Sequence, residues 1–409
     1  MIKRGLIILS ATDIPKVLYA PHKVFKKIVK EPKYLGAFIV LIIFVVAQIG
    51  SAYVVASKSY VEQTFPAAGQ GDAWTENAAL WTASSGVAVT NNTVDYVNST
   101  YYGSVSMEFS ASNVSSVWME NKWSGLNGSV NCAADGFKNV SFRVKIVTPD
   151  VKPESVTLYL YSLSGSNFHR DLTSAFSNST FNVWNNVTVP VGSESGWVSS
   201  SAEAKWENIT GIKMEFTWSS NQNVDLRIDG LFFRGIFKDP LEMYGVSYLA
   251  SSALNAVTPF LFQWLLLTGL IYIIIKGLKG NVVWKPLMVA VGCALVTMVI
   301  QAIIAAVVYM TLPKIYYPLE VLAGVSGEFQ VAYQVILDAI ASVTQITGIV
   351  QIAVYVWTVV LGAIITHEVT GVAVEGVPSL PQFGWMKSIL TSAASFLLTL
   401  LILGFVLGI

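Results

Sequence analysis

Leu35–Ala56 carries about 20 consecutive apolar residues, and Gln48 is its only strongly polar side chain. A run of that length matches the hydrocarbon thickness of a bilayer. It constrains the fold more than any other feature, because it recurs. Residues 248–275, 286–310, 338–365 and 388–407 repeat the pattern. In hydrocarbon every backbone polar group must be satisfied within its own segment, so such runs form helices. About five transmembrane helices are predicted.

Composition agrees. The chain is 53% hydrophobic and 12% charged, where a soluble domain carries about 25% charged residues. Lys plus Arg equals Asp plus Glu, 25 against 25. A neutral chain has no bulk attraction for nucleic acid.

Residues 1–34 are basic, with Lys3, Arg4, Lys16, Lys23, Lys26, Lys27, Lys30 and Lys33. Leu18, Phe25, Ile28 and Val29 form one apolar face, as in an amphipathic segment lying at the membrane surface. Eight positive charges keep this end cytoplasmic. Lys276, Lys279 and Lys285 lie between the second and third runs, which alternation also puts inside. The predicted location is a multi-pass cell membrane protein with residues 57–245 and the C-terminus outside the cytoplasm.

Residues 57–245 differ sharply from the rest. They are rich in Ser, Thr, Asn, Trp and Tyr, and apolar residues alternate: Val105, Met107, Phe109; Val140, Phe142, Val144, Ile146; Val156, Leu158, Leu160; Ile212, Met214, Phe216, Trp218; Val224, Leu226, Ile228. Period two marks half-buried strands. Seven to nine short strands separated by Gly, Ser, Asn and Pro predict an all-β sandwich or jelly roll. The expected architecture is therefore a multi-domain membrane protein: an α-helical bundle plus an all-β sandwich inserted between spans one and two. Residues 1–34 and 35–56 precede the insert and 246–409 follow it.

N-x-[ST] occurs at Asn91, Asn98, Asn113, Asn127, Asn139, Asn178, Asn186 and Asn208. The local composition would give roughly four by chance on that pattern. These are candidate glycosylation sites. Cys132 and Cys293 fall in different compartments, which predicts no intramolecular disulfide and no thiolate metal site. Position 371 is Gly, so His367-Glu368 opens no zincin motif, and the phosphate-binding and nucleophile-elbow patterns are absent. The chain is expected not to be an enzyme.

The second face of the strands is polar with aromatics. Arg143, Lys145, Tyr159, Tyr161 and Glu215 are candidate ligand-binding residues, since Tyr rings stack on the apolar face of a sugar while charged groups bond its hydroxyls. The bland alternative is a solvated face of cross-strand ion pairs. In the spans, Gln263, Gln301, Thr344, Thr347, Gln351, Tyr355 and Thr358 read either as interhelical hydrogen-bond glue or as the lining of a path. The first is the simpler reading.

Residues 182–191, Trp206-Glu-Asn-Ile-Thr-Gly-Ile-Lys-Met-Glu-Phe and Val224-Asp-Leu-Arg-Ile-Asp-Gly-Leu-Phe-Phe resemble the galactose-binding-like jelly roll of carbohydrate-binding modules, over about residues 74–236. The resemblance implies glycan binding, and a structural calcium held in part by Asp229. Asp72 or Glu76 would supply a second oxygen ligand. No other cofactor is required. Residues 20–37, His367 and the Gly376-Val-Pro-Ser stretch resemble the Yip family of five-span membrane proteins over 15–56 and 247–409.

The expected function is a non-enzymatic membrane-anchored platform displaying a module that binds glycans or the cell envelope. The alternatives are an accessory subunit of a membrane complex, or a transport component with the insert as receptor. Expected partners are the lipid bilayer, glycans or cell-envelope proteins, and other membrane subunits, but not nucleic acid.

Overall fold

The computed structural model describes residues 14–67, 69, 71–123, 128–162, 165–371 and 381–407. Gly376-Val-Pro-Ser and the Asn127 sequon lie outside them. The chain divides into two units. A β unit comprises Tyr60–Lys238 and Tyr316–Asp338; a helical unit comprises the rest.

The strands are β1 (Ser59–Phe65), β2 (Trp81–Ala83), β3 (Ala88–Asn92), β4 (Ser106–Lys122), β5 (Asn139–Thr148), β6 (Ser155–Ser162), β7 (Asn167–Asp171), β8 (Asn185–Pro190), β9 (Val198–Ser199), β10 (Ile209–Lys238) and the short β11 (Ile315–Tyr317). Two strands organise the β unit. β4 and β10 pair antiparallel from Gly211↔Lys122 to Ile228↔Met107, with slips in register between Thr217 and Val224. On its other side the first part of β10 pairs with β6, and the second part with β5. β2 flanks the second half of β4, and β3 its first half. The result is a sandwich. One layer runs β2-β4-β10-β6-β7-β9 and the other β3-β4-β10-β5-β8.

The apolar members of the alternating strands all turn inward. Met107, Phe109, Phe142, Val144, Leu158, Leu160, Met214, Phe216, Leu226 and Ile228 share one core from both layers. Cys132 is buried in that core, and burial pushes its thiol pKa up. At about 25 cal/mol per Å² of apolar surface removed from water, this core is the main source of the unit's stability.

Residues Tyr316–Asp338 read in the sequence as an irregular connection between spans three and four. They pack onto the β unit instead. Leu319, Ala323 and Val325 form a satellite core with Val97, Tyr102 and Phe232. The Thr100 amide donates to the Ala323 carbonyl at 2.8 Å.

Among the described residues five helices are long and apolar enough to cross a membrane: Leu35–Ala56, Val246–Gly277, Trp284–Tyr309, Phe329–Thr370 and Trp385–Val406, the fourth entering the helical unit at Ala339. The last turns of Trp284–Ala294 give way at Leu295 to Val296–Tyr309. Before the first of these helices, Pro21–Lys30 is an amphipathic helix with Val24, Phe25, Ile28 and Val29 buried against the bundle. Its lysines stay on the other side, as in any amphipathic helix with one packed face.

Candidate functional site

The outer face of the β6 layer is the candidate site. Pairing fixes which side chains share it. Lys213 on β10 lies between Glu120 on β4 and Tyr159 on β6; Glu215 lies between Trp118 and Thr157; Gly211 lies between Lys122 and Tyr161. Tyr159 in turn faces His169 on β7. Tyr159 and Tyr161 project from one strand about 7 Å apart.

The face is held together by charge against ring. The Lys213 ammonium lies 4.9 Å from the Tyr159 ring centre and 5.3 Å from that of Trp118. Lys122 lies 4.7 Å over Tyr161. Lys213 pairs with Glu215 at 3.0 Å, and Lys122 with Glu120 at 2.7 Å. Tyr159 and His169 rings are 5.9 Å apart. A side chain at Gly211 would meet the Asn121 carbonyl at 3.0 Å, Lys122 Cγ at 3.1 Å and Tyr161 Cδ2 at 3.2 Å, so a larger residue would crowd Lys122 where it lies over Tyr161. Burial, Glu215 and a hydrogen bond to it raise the Tyr159 phenol pKa. Burial and Glu120 do the same for Tyr161. Both phenols are therefore held as neutral donors.

Of the sequence-predicted ligand residues, Tyr159, Tyr161 and Glu215 come together here. Arg143 and Lys145 do not, because β5 belongs to the other layer. Arg143 is 1% exposed. It donates to the Tyr102 hydroxyl, and at 2.6 Å to Glu328. Lys145 pairs with Asp95 at 2.8 Å, beside Arg227, which bonds the same carboxylate. Alternation shows which residues leave the core but not which layer a strand joins. Trp118, Lys122 and His169 were missed as site residues for the same reason, and Lys213, legible on the polar face, was not singled out. Their signal is their place opposite the tyrosines, which only register supplies.

The candidate calcium ligands are partly assembled. Asp72 and Asp229 are buried side by side. The Asp72 carboxylate accepts from the Thr75 amide at 2.9 Å and from the Thr75 hydroxyl. The Gly230 amide donates to both aspartates, at 2.5 and 2.7 Å, and the Val97 amide to Asp229 at 2.6 Å. Gly230 has φ +61°, and a Cβ there would strike the Tyr102 ring at 2.5 Å, so glycine is required for this turn. Burial and the neighbouring Asp229 charge push Asp72 well above the usual carboxylate range. Burial raises Asp229 to about 7. Glu76 turns elsewhere and accepts from the Ser104 and Val105 amides, each at 3.1 Å. Among the described residues no group of three His, Cys, Asp or Glu is placed to hold a metal ion. The donor set present is two carboxylates and a hydroxyl. That suits either a shared proton or one hard cation whose other ligands are carbonyls and water.

In the helical unit, two histidines far apart in sequence meet. His22 Nδ1 lies 3.0 Å from the Glu368 carboxylate. The His367 ring stacks on Trp385 at 4.4 Å and its Nδ1 meets the Phe383 carbonyl at 2.7 Å.

Solved structures similar to this chain include a family 11 carbohydrate-binding module from Clostridium thermocellum in complex with a mixed-linked tetrasaccharide. That match has 12% identity and covers 38% of this chain and 89% of that one, with TM-score 0.26. A solution structure of CtCBM11 matches at 15% identity over 39% of this chain and 90% of that one, with TM-score 0.27. An exo-beta-agarase matches at 10% identity over 41% of this chain and 25% of its own, TM-score 0.30. No family model matches the chain, and no curated protein matches it. The Yip resemblance of the helical half therefore stands on its quoted residues alone.

Proposed function

We propose that the protein is a non-enzymatic membrane platform whose β unit binds glycans outside the cytoplasm, through the face carrying Trp118, Tyr159, Tyr161, Lys213 and Glu215. One observation carries this reading: three aromatic rings and His169 lie on one sheet face, interleaved with both signs of charge. Sugars need that combination, because their CH groups stack on rings while their hydroxyls need donors and acceptors at the edge. The lysines and glutamates are now paired with one another, so a ligand must displace those contacts. Ring contacts of about 0.5–1.5 kcal/mol each then leave affinity near millimolar for one sugar unit. Chains of sugars bind more tightly by occupying several contacts at once.

Further parts of the reading follow. The five apolar helices span the bilayer with the basic N-terminal helix inside. Protease added to intact spheroplasts should cut within 57–240 and spare Lys279; the reverse pattern would invert the orientation. Asp72 and Asp229 hold a structural calcium, as the jelly-roll resemblance implies. Glycans join the exposed sequons Asn91, Asn98, Asn113, Asn178 and Asn186 rather than half-buried Asn139 and Asn208. Intact-mass analysis tests this directly.

The decisive experiment is a glycan array probed with the full-length protein in detergent. Tyr159→Ala with Tyr161→Ala should abolish the signal, while Lys145→Ala, on the other layer, should leave it. Binding that survives the double substitution, or no binding by the wild type, would remove the proposed face.

A further inference from the structure

The first four apolar helices each bring one glutamine to the same place. Gln48, Gln263, Gln301 and Gln351, with Tyr309 and Tyr355, line a cavity of about 400 Å³ inside the helical unit. The fifth helix adds Leu400, Leu403 and Gly404 to its wall. None of the described lining residues is charged.

Of the residues that the sequence suggested as interhelical glue, Thr358 serves as such and Gln263, Gln301 and Gln351 do not. Hydroxyls do that work. Thr297 and Thr358 bond each other at 2.8 Å, Ser51 donates to the Ala302 carbonyl at 3.1 Å, and Ser392 to the Val359 carbonyl at 2.7 Å. Gln351 donates to Tyr355 on its own helix at 2.6 Å. Gln48, Gln263 and Gln301 bond none of the described residues, although Gln263 is buried. A primary amide has two donors and an acceptor, and leaving several of them unpaired among apolar helices costs free energy. Pro259 also lines the cavity. Its missing N–H leaves one more helix carbonyl free, that of Asn255.

We infer that this cavity binds a single uncharged polyhydroxyl group, such as one sugar ring. Three properties of the cavity set that chemistry. Amides and phenols offer donors and acceptors together, so they suit hydroxyls. The absence of any lining charge disfavours phosphate, carboxylate and ammonium groups. The volume sits at the low end of the roughly 300–1,000 Å³ typical of small-molecule sites, which admits one ring and excludes a chain. The ring could arrive as the headgroup of a membrane glycolipid or as a free sugar. The site is separate from the β-unit face, but it rests on reading the five helices as spans.

The full chain is reconstituted into phosphatidylglycerol nanodiscs, with or without monoglucosyldiacylglycerol, after vesicle flotation has reported insertion. Native mass spectrometry reads retained lipid, and a melting shift with methyl glucoside reads the free sugar. One retained glucolipid, or a saturable shift with methyl glucoside, is the expected result and identifies the source. Gln263→Leu and Gln301→Leu should each weaken that binding roughly tenfold, the equivalent of one lost buried hydrogen bond. Their melting temperatures without ligand should be unchanged or higher. The proposal is overturned if neither probe binds, so that the cavity holds water only, or if the leucine variants bind as well as the wild type. A chain that does not float with vesicles removes the spanning reading and this site together, and leaves the glycan face untouched.

Discussion

In the β unit the buried polar side chains include charges, namely Glu62, Asp72, Arg143, Asp229 and Arg234; in the helical unit those described are hydroxyls and amides. The charges of the β unit answer one another across distant strands. Arg234 bonds Glu62 at 2.9 and 2.7 Å and Glu320 at 2.8 Å. Glu62 also accepts from the Leu319 amide at 2.8 Å. The hydroxyls of the helical unit mostly bond their own helix one turn back, as Thr268 does to Trp264 and Thr366 to Gly362. A hydroxyl satisfied within its own helix tolerates any surroundings. A buried charge tolerates only the partner built for it. The β unit therefore stakes stability on a few groups, and the helical unit spreads it over many.

The largest expected effect follows from that asymmetry. Arg234→Ala strands Glu62 and Glu320, and should destabilise the β unit by about 3–5 kcal/mol, as removal of one partner from a buried pair does. Denaturant unfolding of the full chain, read by tryptophan fluorescence, measures it. A loss below about 1 kcal/mol would show the cluster to be ordinary surface pairing.

The next effect is in pH, and two clusters act in opposite directions. Asp72 and Asp229 have raised pKa values, so the stability they contribute is full below the ordinary aspartate range and is lost as pH rises through about 7. Burial works to raise Glu320, but the bonds and charge of Arg234 more than offset it and hold this carboxyl low. Its contribution is present at neutral pH and lost as pH falls below the usual glutamate range. Thermal stability should peak on the acid side of neutrality. Asp229→Asn should flatten the decline above the peak. If Asp72 and Asp229 hold calcium, adding it should flatten that decline in the wild type, and EDTA should restore it. A decline that calcium leaves unchanged assigns the pair to a shared proton.

The helical unit should respond far less. Thr358→Val breaks the Thr297–Thr358 bond between two of the apolar helices and should cost about 0.6–1 kcal/mol if they span a bilayer, the usual value for such bonds in membranes. A steric-trap unfolding measurement in bicelles reads this. The smallest change should come from Glu368→Gln. Its partner His22 is half-exposed, and such pairs contribute about 0–1 kcal/mol. A loss above 2 kcal/mol in either helical variant would erase the contrast between the units.

Much of this was legible in the sequence, because some physical signals are local. A bilayer-length apolar run specifies a helix whatever surrounds it, and the five helices appear where the runs are. Period two specifies a strand with one buried face, and Met214, Phe216, Leu226 and Ile228 all turned inward. The tyrosine pair was visible because Tyr159 and Tyr161 share a strand. What the tertiary structure decided was every relation between segments. Alternation cannot say that β6 pairs with the first part of β10 and β5 with the second, so Arg143 and Lys145 were read into a face they do not join. Nor can composition show that Glu320 and Glu328, in what reads as a loop between spans, pair with Arg234 and Arg143, 86 and 185 residues earlier. The four glutamines looked like scattered polar exceptions, and only helix packing brings them to one cavity. Residue type and spacing set what each segment can bury. Chain topology sets what it is buried against, and charge partners, ligand faces and cavities belong to that second level.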